Sequence, residues 1–296
     1  MGFIFKKKQR KADRIPATGS ETLNLGSMIL ANTSSWALLL TLLTACGYAV
    51  PALAAQRLGE KTTRQILMVA GLLHLLTFSW GLWGDAPRFG FAPALSVTAW
   101  LVLAAYMVES QFFPQLKAGR ALASLGALAV TGAFAFPGKS LSIDSSPWLP
   151  LHWALGIASY GMFAVAVVHA ILMTHAERQI RLAHEGASGL PLLTLERLTF
   201  RFVSVGFVLL SATLLAGFFF GESLYGLSGA HWKWDHKTIF SLLSWLTFAL
   251  LLVGRARFGW RGKRAVRVLY IGAALLLLAY VGSRFVLEVL LERSTA

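Results

Sequence analysis

Cysteine is nearly absent from this chain, which has only Cys46, set inside an apolar block. A lone cysteine excludes an internal disulfide framework, a paired-cysteine redox centre and a cysteine-rich zinc site; its surroundings predict a packing role. Charge is scarce as well, at 14% of 296 residues, with 13 acids against 27 bases. Catalytic signatures are missing: no nucleophile is spaced beside a base, and neither a glycine-rich phosphate loop nor a metal-hydrolase spacing occurs. The chain does not read as an independent enzyme. The apolar blocks also lack paired acids, broken Gly-Pro helices and an internal repeat, which argues against a solute transporter.

What is abundant is hydrophobic sequence, 56% of the chain. It falls in long uninterrupted blocks rather than the short alternating runs of a soluble core. The blocks run over residues 35–55, 66–83, 93–112, 121–136, 151–174, 202–221, 238–254 and 268–287. A helix needs about 20 mostly apolar residues to cross the hydrocarbon core. The pattern therefore predicts an all-α, polytopic membrane protein of about eight transmembrane helices. A basic polar tail, 1–27, precedes a single membrane domain, 28–296. The fourth block is the shortest, and its Ala and Gly suit close helix packing. The first block comes too late and runs too long for a cleavable signal peptide, so it is expected to remain attached.

The net charge of +14 would suggest nucleic acid in a soluble protein. Here the bases crowd into alternate loops instead. The loops around 57–64, 117–120, 177–201 and 255–267 hold 15 Lys or Arg, and the loops between them hold four. The rich set is expected to be cytoplasmic, with the charge setting orientation in the inner membrane rather than binding nucleic acid. The alternation places both termini outside, against the pull of the basic segment 6–14. Trp80, Trp83, Trp148, Trp153, Trp232 and Trp234 fall at or near the outer ends, where an aromatic interface belt is the plain reading. The loop 255–267 reads as a topology anchor attracted to anionic lipid.

One outer loop, about 222–238, carries more specific chemistry. It contains Gly229-Ala230-His231-Trp232-Lys233-Trp234-Asp235-His236-Lys237-Thr238 and leads directly into the seventh block. Aromatic faces beside imidazoles at a membrane surface suit a flat, apolar, metal-centred ligand. Haem fits: its macrocycle stacks on Trp, its iron takes a neutral His nitrogen, and Lys or Arg pairs its propionates. Asp235, immediately before the helix, is placed to cap its free N–H groups.

Trp232-Lys233-Trp234-Asp235 followed by a helix resembles the tryptophan-rich outer segment of the cytochrome c assembly proteins of the CcsA, CcmC and HemX type. Gly259-Trp260-Arg261-Gly262-Lys263-Arg264-Ala265 is similar to the stretch after the next span in CcsA-like proteins. Ala279-Tyr280-Val281-Gly282-Ser283-Arg284-Phe285 resembles the end of the YpjD and HemX branch. His74, followed by Trp80, Ser96 and Trp100, and His152, ahead of Ser159-Tyr160, extend the likeness over most of the chain from about residue 35. Two departures point to the short YpjD and HemX branch: no histidine follows His236, and His236 stands where Pro is common.

The resemblance implies haem b as the bound group, with His74 and His152 as iron ligands and Trp232, Trp234 and Asp235 in the binding segment. It implies a haem-handling protein of cytochrome c biogenesis that presents haem at the extracytoplasmic face. Other maturation proteins or apocytochrome c would be its partners within the bilayer. The HemX likeness also allows a membrane regulator of haem biosynthesis that senses haem without delivering it.

Read on their own, the histidines divide. His74 lies eight residues into its block, roughly 12 Å deep, where an imidazole is either a ligand or an interhelical hydrogen-bonding group. His231 or His236 would complete the iron coordination with His152, and adjacency to the helix favours His236. His169 is 17 residues after His152, about 25 Å along a helix, so the two cannot share one iron. His169 could approach the depth of His74. His175 and His184 are expected to be solvated, and Glu109 and Arg284 to snorkel to water.

Overall fold

A hydrocarbon solvent leaves a chain no partner for its backbone except itself, so spanning segments become helices. In the computed structural model, which describes residues 35–54, 57–83, 88–114, 116, 118–140, 149–182, 191–220, 235–282 and 285, eight helices follow one another. They are α1 (Ser35–Ala54), α2 (Glu60–Trp83), α3 (Phe91–Phe112), α4 (Gly119–Ala135), α5 (Leu149–Arg181), α6 (Leu192–Phe219), α7 (His236–Phe258) and α8 (Gly262–Leu277). A π-helical turn, Leu278–Gly282, prolongs α8. The tail 1–27 lies outside the described residues.

Among the described residues seven helices, counting α8 with its π turn, are long and apolar enough to cross a membrane. The exception is α4, the block already shortest in sequence; its 17 residues span about 25 Å, short of a hydrocarbon core of about 30 Å. The all-α, polytopic expectation holds, as seven candidate spans and one shorter apolar helix. Several helices outrun their apolar blocks. The second starts at Glu60, the fifth continues to Arg181 and the sixth starts at Leu192. Arg, Lys, Glu and Gln are good helix formers, so the helix continues through the charged interface where hydropathy has already fallen.

The loops meet at two ends, as the charge alternation requires. Two-residue strands β1 (Arg88–Phe89) and β2 (Lys139–Ser140) pair antiparallel, with Arg88 opposite Ser140. The α2–α3 and α4–α5 connections therefore share one end. At the other end Glu196 of α6 pairs with Arg255 of α7, and Arg261 Nε lies 3.6 Å from the same carboxylate oxygen. Arg255 also sits over the Phe200 ring, 4.7 Å from its centroid. Leu116, Met173 and Leu195 pack together there, joining the α3–α4 connection to α5 and α6. This is the basic end; the hairpin marks the opposite one.

Two buried clusters fill the interior. One centres on Tyr48, Leu67, Leu103 and Ala123, from α1 to α4. The other centres on Phe163, Val203, Phe248 and Leu269, from α5 to α8. Contact between α3 and α5 joins them. The outer surface is apolar too, with Leu53 87% exposed, because lipid rather than water solvates it. Cys46 is exposed on this surface, which corrects the expected packing role: its position on α1 faces outward.

With lipid as apolar as leucine, helix association depends on close contact and hydrogen bonds. Thr44 and Thr77 hydroxyls meet at 2.9 Å, Trp100 Nε1 donates to the Gly71 carbonyl at 2.8 Å, and Ser244 donates to the Gly272 carbonyl at 2.8 Å. Tyr160 donates to the Leu276 carbonyl at 2.5 Å, just before α8 widens into its π turn. Gly126 lets the Tyr48 ring approach so closely that an added Cβ would stand 2.9 Å from it. The seventh helix ends on Gly259, φ 63°, and the Trp260 N–H returns to the Gly254 carbonyl at 3.1 Å. That left-handed turn satisfies an otherwise free helix carbonyl.

Candidate functional site

At the hairpin end, the first turn of α5 carries His152 and Trp153 side by side. Half-buried His152 is held against α6 by a backbone hydrogen bond at Thr213, with Gly217 alongside, where an added Cβ would stand in ordinary van der Waals contact, 3.6 Å from the imidazole Cε1. Trp153 stacks on Phe89 of β1, the ring centroids 5.3 Å apart and the planes 13° from parallel. Phe91 continues the aromatic lining against Phe136, at 5.5 Å, and Phe285, at 5.6 Å. Trp80 lies half exposed on α2.

The seventh helix opens on Asp235, whose extended backbone and carboxylate form an N-cap. Its Oδ1 accepts the Thr238 N–H at 2.8 Å. The capping role read from the sequence is the one seen. Asp235→Ala is expected to destabilise the protein by about 1 kcal/mol, read as a lowered unfolding midpoint in detergent, with Asp235→Asn recovering most of it. His236 is the first residue of α7 and is exposed. Trp232 and Trp234, with His231, lie outside the described residues.

His74 belongs to a different place. Its helix begins at Glu60, so it lies 14 residues, about 21 Å, from the helix start, the first turns of which carry the charged residues ahead of the apolar block. It is 1% exposed, and both ring nitrogens are engaged. Nδ1 lies 3.0 Å from the Tyr48 hydroxyl on α1, and Nε2 lies 2.8 Å from the Ser96 hydroxyl on α3. A neutral imidazole has one donor and one acceptor, and two hydroxyls satisfy both. Tyr48 and Phe78 close the pocket edge-on. The interhelical hydrogen-bonding alternative is what the geometry displays, and Tyr48 is a partner that reading the sequence did not single out.

His169 and Glu109 depart from expectation. Glu109 does not snorkel: it is 8% exposed, and its Oε2 lies 2.9 Å from Nε2 of His169 on α5. His169 pairs with this carboxylate rather than with His74. Neighbouring helices α3 and α5 supply both groups, so burying them together costs less than exposing either alone to lipid. His175 is exposed, as expected, while His184 and Arg284 lie outside the described residues.

A bundle of long apolar helices whose buried histidines are bonded across helices, with His152, Trp153 and His236 at the hairpin end, defines a multi-pass integral membrane protein. Residues 64–291 match the family described as Cytochrome C assembly protein. That is well over half of the chain, which therefore belongs to the cytochrome c assembly family. It is 30% identical over 151 residues to the inner membrane protein YpjD of Escherichia coli strain K12, a match covering 50% of this chain and 55% of that protein. The chain thus aligns with about half the length of those relatives. It is also 26% identical over 298 residues to the cytochrome c biogenesis protein CcsA of Synechococcus strain WH7803, covering 86% of this chain and 91% of that one. No solved structure matches. The spans make it a multi-pass membrane protein, and the YpjD relative is named as an inner membrane protein.

Proposed function

We propose that this protein binds haem b at the hairpin end, on the extracytoplasmic face, and holds or presents it for cytochrome c maturation. The observation that carries the reading is His152: a half-buried imidazole at the end of the bundle with few bases, held by a backbone group on α6, one residue before the Trp153 that stacks on Phe89. Outer-shell hydrogen bonding of this kind fixes the tautomer and orientation of a metal-ligating histidine. Its donor chemistry fits haem, which supplies the iron and, as cargo, the macrocycle.

His152 is the proposed axial ligand and His236 the second, with Trp232 and Trp234 as the stacking platform. Asp235 holds the start of α7 in place. His74 marks an inner position on the path, and would take iron only when Tyr48 or Ser96 gives up a ring nitrogen. Attachment of the haem to an apocytochrome c would need another maturation protein.

Protein purified from haem-replete cells is expected to show a Soret band, with most of it lost in His152→Ala. A spectrum unchanged in both His152→Ala and His74→Ala would remove the assignment. Deletion of the gene separates delivery from regulation: delivery requires mature c-type cytochrome to fall. Altered early tetrapyrrole intermediates with normal cytochrome would replace delivery by regulation.

A further inference from the structure

The pair formed by Glu109 and His169 plays no part in the haem reading, yet it buries a carboxyl group and an imidazole together inside the bundle. Glu109 lies three residues before the end of α3 and His169 twelve before the end of α5. The pair is nearer the basic end, where α3 joins the two buried clusters through α5. Two features distinguish it from an ordinary helix-pairing bond. The remaining polar atom of each group, Glu109 Oε1 and His169 Nδ1, is buried with no hydrogen-bond partner among the described residues. Beside them is a cavity of about 10 Å³, the room one water needs.

The walls of that cavity are otherwise apolar, with Leu122 from α4 and Val165 and Leu172 from α5. Tyr106 is the other titratable side chain lining it, and its hydroxyl donates to the Leu116 carbonyl at 3.2 Å. Arg64 and Glu60 of α2 act on Tyr106 from beyond it. From α6, Phe202 lays its ring 5.4 Å from that of His169. Among the described residues, then, no cation but His169 itself is within pairing distance of the Glu109 carboxylate.

We propose that Glu109 and His169 form a binding site for one exchangeable proton, completed by a single water at Oε1 or Nδ1. Charge counting leads there. With one proton the pair is neutral overall, either as a carboxylic acid bonded to neutral imidazole or as carboxylate against imidazolium. With none it carries −1 and with two +1, and either leaves a net charge in an apolar seam. The proton moves between Oε2 and Nε2 without any bond to carbon being made or broken. Oε1 and Nδ1 are the points at which the water exchanges it.

The test is pH-difference infrared spectroscopy on the full chain in lipid nanodiscs. A carboxylic-acid carbonyl band is expected that shifts in heavy water and is lost in Glu109→Gln. In His169→Gln its frequency should shift, because the carboxyl loses the imidazole nitrogen 2.9 Å away. Glutamine keeps a neutral hydrogen-bonding group at either position, and circular dichroism checks the fold. A band that survives Glu109→Gln, a frequency unchanged in His169→Gln, or the absence of both a carboxylic-acid band and an imidazolium ring band between about pH 4 and pH 10 would overturn the site. Should Glu109→Gln not fold, Glu109→Asp decides: the band must change frequency, and an unchanged one overturns the proposal equally.

Discussion

His74→Leu is expected to destabilise the protein by about 2–4 kcal/mol, read as a large drop in the unfolding midpoint in mild detergent. Leucine fills much of the volume of the imidazole but offers nothing to the Tyr48 and Ser96 hydroxyls, which lie 3.0 and 2.8 Å from its nitrogens. An unsatisfied buried polar group costs about 1–3 kcal/mol. Interhelical bonds in membranes average less, because the unfolded chain also finds partners there, so the lower part of the summed range applies. Tyr48→Phe removes one partner cleanly and should cost about 1 kcal/mol. The double variant Tyr48→Phe, His74→Leu should cost less than the sum, since both act on one network. If His74→Leu keeps wild-type stability and loses only haem, the imidazole acts as a ligand and its hydrogen bonds are incidental.

Glu196→Ala is expected to cost about 2–4 kcal/mol and to loosen the basic end. The carboxylate side chain is 11% exposed and serves Arg255 and Arg261 together. Removing it strands Arg255 over Phe200, at a helix terminus with further bases around it. Breaking a fully buried pair costs about 3–5 kcal/mol; Arg255 is 26% exposed and can reach water, which lowers the figure. The signature is accelerated proteolysis of the α7–α8 connection together with the lower midpoint. Glu196→Gln, which keeps an acceptor for the guanidinium, should lose roughly half as much. Wild-type stability in Glu196→Ala would show that lipid headgroups hold these arginines instead.

Much of the architecture could be read directly. Block length marked the spanning helices, because a bilayer sets the required run of apolar residues. Charge alternation paired the loops correctly, and the β1–β2 contact and the Glu196–Arg255 pair now place each set at its own end. Asp235 announced its cap because capping is local, needing only three residues of sequence. Helix ends were less legible: hydropathy stops at the interface, while helix propensity does not, so α5 runs on to Arg181.

Partners distant in sequence could not be read at all. Nothing in a one-dimensional pattern tells that His74 is answered by Tyr48, 26 residues earlier, and Ser96, 22 later, or that His169 meets Glu109 across 60 positions. Composition and periodicity determined an all-α membrane protein, its alternating topology and its candidate imidazoles, since these depend on solvent and on neighbours along the chain. Tertiary packing alone decided which imidazole is saturated, which meets an acid and which packs against α6. Those roles depend on rotation of each helix about its axis, and that rotation is set by contacts such as Gly126 on Tyr48 and Gly272 on Phe248, which only the assembled bundle contains.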